Sequence, residues 1–436
     1  MKKMNPLKKN PPSLNAFRGG SYSLIISAVV LALLVVANVF ASALPSAMTK
    51  YDISSTKLYS VTSNTKVVVN ALEQDVTIYW IVQSGKEDDI IENLLSKYET
   101  LSGHIKVVKK NPDVFPTFTE QYTNETVQNN SLIVECGDRS RFIGYDDIYI
   151  QEADVYSYSY NTSFDGEGAI TSAIDYVVSE ELPQLYMLEG HGEAELPATF
   201  SEQIEKENIE VSSFSLLTVD SVPEEADCVL IYAPTSDISE EEKTELLDYL
   251  EAGGKAMIFS DYTQDDLPNF DAVLENYGVK CAEGIVFEGD NQHYGMQMPY
   301  YLVPTVNSTD ASSETVSGGY YVLVPYAQGI KKMDDVRDTV TINSILTTSD
   351  QAYSKTDLNS DTLEKEDGDE AGPFDLGVSI TETLDDDKET QIVYYSTSNL
   401  MESQVNQMVS GGNEKLIIES LTVSYTHLTL PTNREV

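Results

Sequence analysis

Cys228-Val-Leu-Ile-Tyr-Ala-Pro234, then Ser239 to Glu251, then Lys255-Ala-Met-Ile-Phe-Ser260 is the stretch that decides what kind of fold this chain adopts. Two short apolar runs flank a segment with complete helix signals. Ser239 stands at the N-cap, Glu242 at the third helical position closes a capping box, and Leu246, Leu247 and Leu250 share one face. Gly253-Gly254 ends the helix, because glycine takes the left-handed conformation that helix C-termini favour. Strands apolar throughout and joined by a crossover helix pair in parallel, with both faces buried.

The same alternation extends in both directions. Upstream, Gln184-Leu-Tyr-Met-Leu188 reads as a buried strand, Pro197 to Glu207 as a helix and Val211 to Leu217 as a strand. Downstream, Pro373 to Ile380 and Gln391 to Tyr395 are strands with Asp385-Asp386-Asp387 as the hairpin tip between them. Gly411-Gly-Asn413 then opens a helix from Glu414 to Val423. Residues 164–423 are therefore expected to form a doubly wound, mostly parallel α/β domain. Its entry is the amphipathic helix Phe164 to Val178, and its acidic segment near 349–372 reads as a surface loop.

A smaller α/β domain is expected over residues 51–160. A helix capped by Ser60 or Thr62 runs to Leu72, followed by a strand over Asp75 to Val82. Asp88 to Leu101 is a helix, His104 to Val108 a strand, and Ser131 to Cys136 another. The pattern resembles thioredoxin-type topology, without a Cys-x-x-Cys motif to supply thiol chemistry.

Ahead of both domains, Tyr22 to Leu44 carries no charged residue, and about 20 apolar residues suffice to span a bilayer. Residues 1–21 hold Lys2, Lys3, Lys8, Lys9 and Arg18 with no acid, the flank that stays in the cytoplasm. The expectation is a transmembrane anchor over 22–44 with the rest of the chain delivered outside. Ala41-Ser42-Ala43 also fits a signal-peptide cleavage site, but cleavable apolar regions run only about 7 to 15 residues. Either reading exports the remainder of the chain. Past this segment 22 basic residues face 71 acidic ones, a balance of −49 that excludes nucleic acid and anionic lipid as partners. Residues 424–436 (Ser-Tyr-Thr-His-Leu-Thr-Leu-Pro-Thr-Asn-Arg-Glu-Val) break register with the helix before them and read as a non-native tail.

Three scattered cysteines, Cys136, Cys228 and Cys281, make no disulfide framework, and the four histidines show no metal-ligand spacing. Nothing in the chain calls for a cofactor, and no phosphate-binding Gly-x-x-x-x-Gly-Lys-Ser/Thr motif occurs. The candidate binding residues sit where two strands end. Glu189, His191 and Glu193 follow the first, and Thr235, Ser236 and Asp237 follow the second. Ligands of open α/β sheets gather at carboxyl ends of strands, and a histidine between two glutamates offers an acid–base pair or a ligand contact.

Several blocks together resemble the gliding-motility auxiliary (GldG-like) family of ABC-type transport systems. They are Tyr51 to Val82, Leu94 to Tyr149, Gly168 to Glu193 (ending Leu-Glu-Gly-His-Gly-Glu), Val229 to Asp261, Gly372-Pro-Phe-Asp-Leu and Gly412-Asn413. The resemblance implies an N-terminal anchor, a flavodoxin-like domain similar to class I glutamine amidotransferases, and a closing membrane helix beyond the end of this sequence. It further implies a permease and an ATPase as partners. Amidotransferase chemistry needs a cysteine on a tight strand-to-helix turn; Cys228 begins its strand and Cys281 precedes no helix pattern. The expected function is thus a non-catalytic, membrane-anchored, extracytoplasmic subunit that binds a ligand or envelope partner, with a homo-oligomer in scope. The competing readings are an envelope hydrolase or transferase using the carboxylates near His191, and a self-assembling surface protein.

Overall fold

A computed structural model describes residues 61–154, 159–179, 181–263, 265–384 and 388–426. The expected anchor over 22–44, the basic residues 1–21, the hairpin tip 385–387 and residues 427–436 of the expected tail lie outside the described residues, while the first three residues of that tail, 424–426, continue the last helix instead of breaking its register. Among the described residues no helix is long and apolar enough to cross a membrane.

The chain divides between Tyr145 and Asp146 into two compact units. The first contains helix α1 (Ser63–Asn70), strand β1 (Val76–Ile81), helix α2 (Asp89–Leu101) and strands β2 (Ile105–Lys110), β3 (Ser131–Cys136) and β4 (Arg139–Ile143). Thr62 caps α1, and the Asp88 carboxylate caps α2 by accepting from the Ile90 and Ile91 amides. The sheet runs β2-β1-β3-β4, with β1 and β2 parallel and the other pairs antiparallel. Trp80 is buried, and its indole N–H donates to Asn130 at 3.1 Å.

The second unit opens with a hairpin of β5 (Tyr149–Asp154) and β6 (Ser159–Phe164), then α3 (Gly166–Val178). The sequence reading began the helix at Phe164; Phe164 instead ends β6, across from Tyr149. Next come β7 (Gln184–Leu188), α4 (Ala198–Lys206), β8 (Glu210–Phe214), β9 (Cys228–Tyr232), α5 (Glu240–Glu251), β10 (Lys255–Phe259) and α6 (Pro268–Asn276). A run of short strands comes after them: β11 (Val279–Cys281), β12 (Ile285–Phe287), β13 (Tyr301–Leu302), β14 (Thr305–Val306), β15 (Val324–Pro325) and β16 (Ile330–Lys332). The chain then forms β17 (Val340–Thr347), β18 (Tyr353–Lys355), β19 (Glu370–Ala371), β20 (Asp375–Thr383), β21 (Glu389–Tyr395) and α7 (Gly412–Thr426).

The main sheet runs β11-β16-β20-β21-β10-β9-β7-β8, with β17 also on β20. Its five strands from β21 to β8 are mutually parallel. Every residue of β9 and β10 is buried, as a parallel strand covered on both faces requires. On one face Phe200 and Ile204 of α4 and Leu416, Ile417 and Leu421 of α7 pack over Leu230, Met257, Val393 and Tyr395. On the other, Leu246 and Leu250 of α5 and Phe270, Val273 and Leu274 of α6 cover Val229, Ile231, Ile258 and Ile392. Burying one such leucine or phenylalanine contributes about 1.5–3 kcal/mol.

The segment 349–372 is not simply a surface loop. Its ends are β18 and β19, and Lys355 is 1% exposed. The acidic residues fold over that lysine, whose ammonium lies 2.7 Å from Glu366 and 3.9 Å from Asp369. A buried ammonium needs paired charge, and the surrounding carboxylates supply it.

Candidate functional site

Numbered among themselves, the parallel strands stand in the order 2-1-3-4-5, so connections leave β7 and β9 in opposite directions. Loops at such a switch point diverge and leave a crevice at the carboxyl ends of the strands. Glu189–Glu193 follows β7 and Ala233–Ser239 follows β9, so all six sequence-selected residues flank this crevice.

The crevice is closed by the chain's own bonds. The amides of Thr235 and Ser236 both donate to the His191 carbonyl at 2.9 Å, and the Thr235 hydroxyl reaches the Gly192 carbonyl at 3.2 Å. Gly192 has φ +75°, and a Cβ added there would lie 2.2 Å from Thr235 Oγ1, so the close approach needs glycine. Glu193 turns back on its own loop: Oε2 accepts from the Gly190 and His191 amides at 3.0 and 2.8 Å.

His191 is 4% exposed. Its Nδ1 lies 3.2 Å from Glu193 Oε1, and its Nε2 lies 3.1 Å from Oε1 and 3.2 Å from Oε2 of Glu242. Glu242 is the capping-box glutamate of α5, its Oε2 accepting from the Ser239 amide at 2.8 Å. Burial pushes the Glu242 carboxyl up, but the bonds from Ser239 and the facing imidazole outweigh it and hold the group below the ordinary glutamate range. Each ring nitrogen thus faces a carboxylate. The arrangement ties the β7 loop to the start of α5.

The other selected residues part company. Glu189 joins the loop through its backbone, its amide donating to Phe214 at 2.9 Å, while the residue itself is exposed. The Asp237 carboxylate caps α6, accepting from the amides of Asn269 at 3.0 and 3.1 Å and of Phe270 at 3.0 Å. Thr235 and Ser236 are exposed at the rim.

Sequence reasoning gave Glu242 only its helix-capping role. Its second partner lies 51 positions away, and no local pattern marks that contact. It also passed over Ala233, which has φ +51° where β9 turns towards α5. A strained strand-to-helix turn is where α/β hydrolases expose a nucleophile; here that place holds a buried alanine. Of the cysteines, Cys136 and Cys228 are buried, and Cys281 bonds Tyr394 Oη at 2.9 Å. Among the described residues no group of three or more His, Cys, Asp or Glu is placed to hold a metal ion.

Residues 182–420 match the model of a family described as ABC-type uncharacterized transport system, and residues 55–150 match that of a domain of unknown function. No curated protein matches the chain. Among solved structures, the chain is similar to the mmIFT52 N-terminal domain, with 13% identity over 56% of this chain and 97% of that one, at TM-score 0.40. It is also similar to PurLQS from Thermotoga maritima (11% identity, 56% and 99% covered, TM-score 0.27). A ThuA-like protein from Parabacteroides merdae shows 13% identity, with 58% and 94% covered and TM-score 0.30. These likenesses are too distant to bear on function.

Proposed function

The chain belongs to the ABC-type uncharacterized transport system family and is an auxiliary component of such a system; from that premise we propose that it is a membrane-anchored, extracytoplasmic, non-catalytic subunit serving beside a permease and an ATPase. The anchor reading rests on the uncharged Tyr22 to Leu44 behind its basic flank, and the outside location follows from that flank. We read the larger unit as the flavodoxin-like, amidotransferase-type domain, on its 2-1-3-4-5 parallel order. The β2-β1-β3-β4 order of the smaller unit supports its thioredoxin-type reading.

One observation carries the non-catalytic reading. His191, the side chain best placed for acid–base work at the switch point, has both ring nitrogens committed to Glu193 and Glu242. The alanine at the strained turn after β9 supports the same reading.

Affinity capture of the full chain from gently solubilised native membranes, read by mass spectrometry, tests the proposal. The expected result is a permease and an ATPase in amounts comparable to the bait. Recovery of this chain alone, under conditions that hold other ABC complexes together, would refute it. Loss of an envelope-hydrolysing activity in a folded His191→Ala protein would favour the hydrolase reading instead.

A further inference from the structure

From Asn291 to Thr309, and again from Thr315 to Ile330, the chain contains no Asp, Glu, Lys or Arg, although it carries 71 acidic residues in all. The fold brings these two uncharged segments together. Tyr301 pairs with Pro325 and Leu302 with Val324 across β13 and β15, and the Tyr326 amide donates to the Tyr300 carbonyl at 3.0 Å. The outer side of this union is aromatic and thioether. Tyr300 and Tyr326 stack at 5.0 Å between centroids, and Tyr301 meets Tyr326 edge-on at 5.7 Å. Tyr326, Met296 and Met298 remain 40%, 53% and 39% exposed.

Backbone strain converges on the same place. Met296 (φ +54°) and Gln297 (φ +59°) are the central pair of a turn closed by the Met298 amide on the Gly295 carbonyl at 3.0 Å. Tyr326 also has φ +54°. Left-handed backbone costs a non-glycine residue about 1–2 kcal/mol, and Asn-Gly would make this kind of turn without that cost. Charge depletion with Tyr and Met enrichment is the composition of the core of a protein–protein interface. Prestacked rings also lose little freedom on binding.

We infer that this Tyr–Met face is the docking surface for an uncharged, apolar polypeptide surface on the membrane-embedded subunit of the transport system. The inference rests on the proposed auxiliary role for its partner, and on the charge pattern for its location. A formal charge of −44 sets two copies of this chain against each other and repels anionic head groups. An uncharged face is where a partner without compensating cations can approach, and the two segments themselves bring no carboxylate to be desolvated.

The experiment places a photo-crosslinking phenylalanine analogue at Met298 or, as a control on the same unit, at Val211 (45% exposed on β8) in the full chain in native membranes. The expected result is a crosslink from position 298 to the membrane-embedded subunit, identified by mass spectrometry, with none from position 211. In parallel, Met296→Glu/Met298→Glu should lower recovery of that subunit roughly tenfold, while Val211→Glu leaves it unchanged. Normal capture of the subunit with crosslinking at 211 but not at 298 overturns the docking face and leaves the auxiliary role intact. Crosslinks from 298 only to a second copy, only to lipid, or to nothing also overturn it. Absence of any transporter subunit at both positions and in the captures overturns both readings.

Discussion

The junction around His191 and the Tyr–Met face are built from the same material, loops on an α/β sheet, and use charge in opposite ways. At the junction, two carboxylates and an imidazole are withdrawn from water and bonded to each other and to backbone amides, with Glu242 Oε1 alone left without a hydrogen-bond partner. At the face, two segments free of charged residues leave tyrosines and methionines in solvent and hold three non-glycine residues at positive φ. Buried hydrogen-bonded groups fix a geometry because movement leaves a polar group without its partner. Exposed neutral surface fixes nothing and is left available for contact. On the proposed reading the place that looks chemical is structural, and the place that looks bland is the one that binds.

His191→Ala tests the first half of that contrast with the largest effect. Removing the ring opens a cavity and takes a hydrogen-bond partner from both Glu193 and Glu242, and the expected loss is about 3–5 kcal/mol, read as a lower urea midpoint at unchanged slope. A variant as stable as the parent would mean the ring is spare, and its catalytic reading would reopen.

Asn413→Ala probes the support behind the face. The amide of Asn413 accepts from Leu323 N–H at 2.9 Å and donates to the carbonyls of Leu323 and Leu400 at 2.7 Å each. Losing these buried bonds should cost about 2–3 kcal/mol. Hydrogen exchange should quicken across 320–326 and stay unchanged across 189–193. Uniform quickening would show that the two regions are one cooperative block.

A smaller gain should come from Met296→Asn/Gln297→Gly. Relieving the left-handed pair is expected to add about 1 kcal/mol, seen as a rise of a few degrees in Tm, while capture of the partner falls because Met296 is gone. No gain in Tm would mean the turn stores no strain.

The smallest effect concerns acid. The folded pKa of Glu242 lies below its ordinary value, so its stabilising contribution is present above that value and fades as pH falls through the lowered one. Glu242→Gln should flatten the fall of Tm as pH drops below the ordinary glutamate value of 4.5. A slope identical to the parent's would place the acid sensitivity in other carboxylates.

Much of the architecture was legible because its signals are local. The capping box of Ser239 and Glu242, the apolar face through Leu246 and Leu250, and the runs that became β9 and β10 follow from helical spacing and strand composition. The β5–β6 hairpin and the long β17 were not legible. Apolar residues are interspersed there with polar ones, and only two of the eight residues of β17 are buried, so no continuous apolar run marks it. The six candidate residues do follow strand ends, but the bonds some of them make were not legible. Asp237 caps a helix that begins 31 positions later, and Glu242 was set aside as a capping residue.

The α/β class, the positions of the principal helices and the family could be read along the chain, since periodicity, capping and motif order are properties of neighbours. Only the tertiary structure decided that His191 is locked between two carboxylates and that two uncharged segments meet to form one open aromatic surface. Those outcomes depend on groups far apart in sequence whose burial, and hence whose electrostatic cost, is set by packing alone.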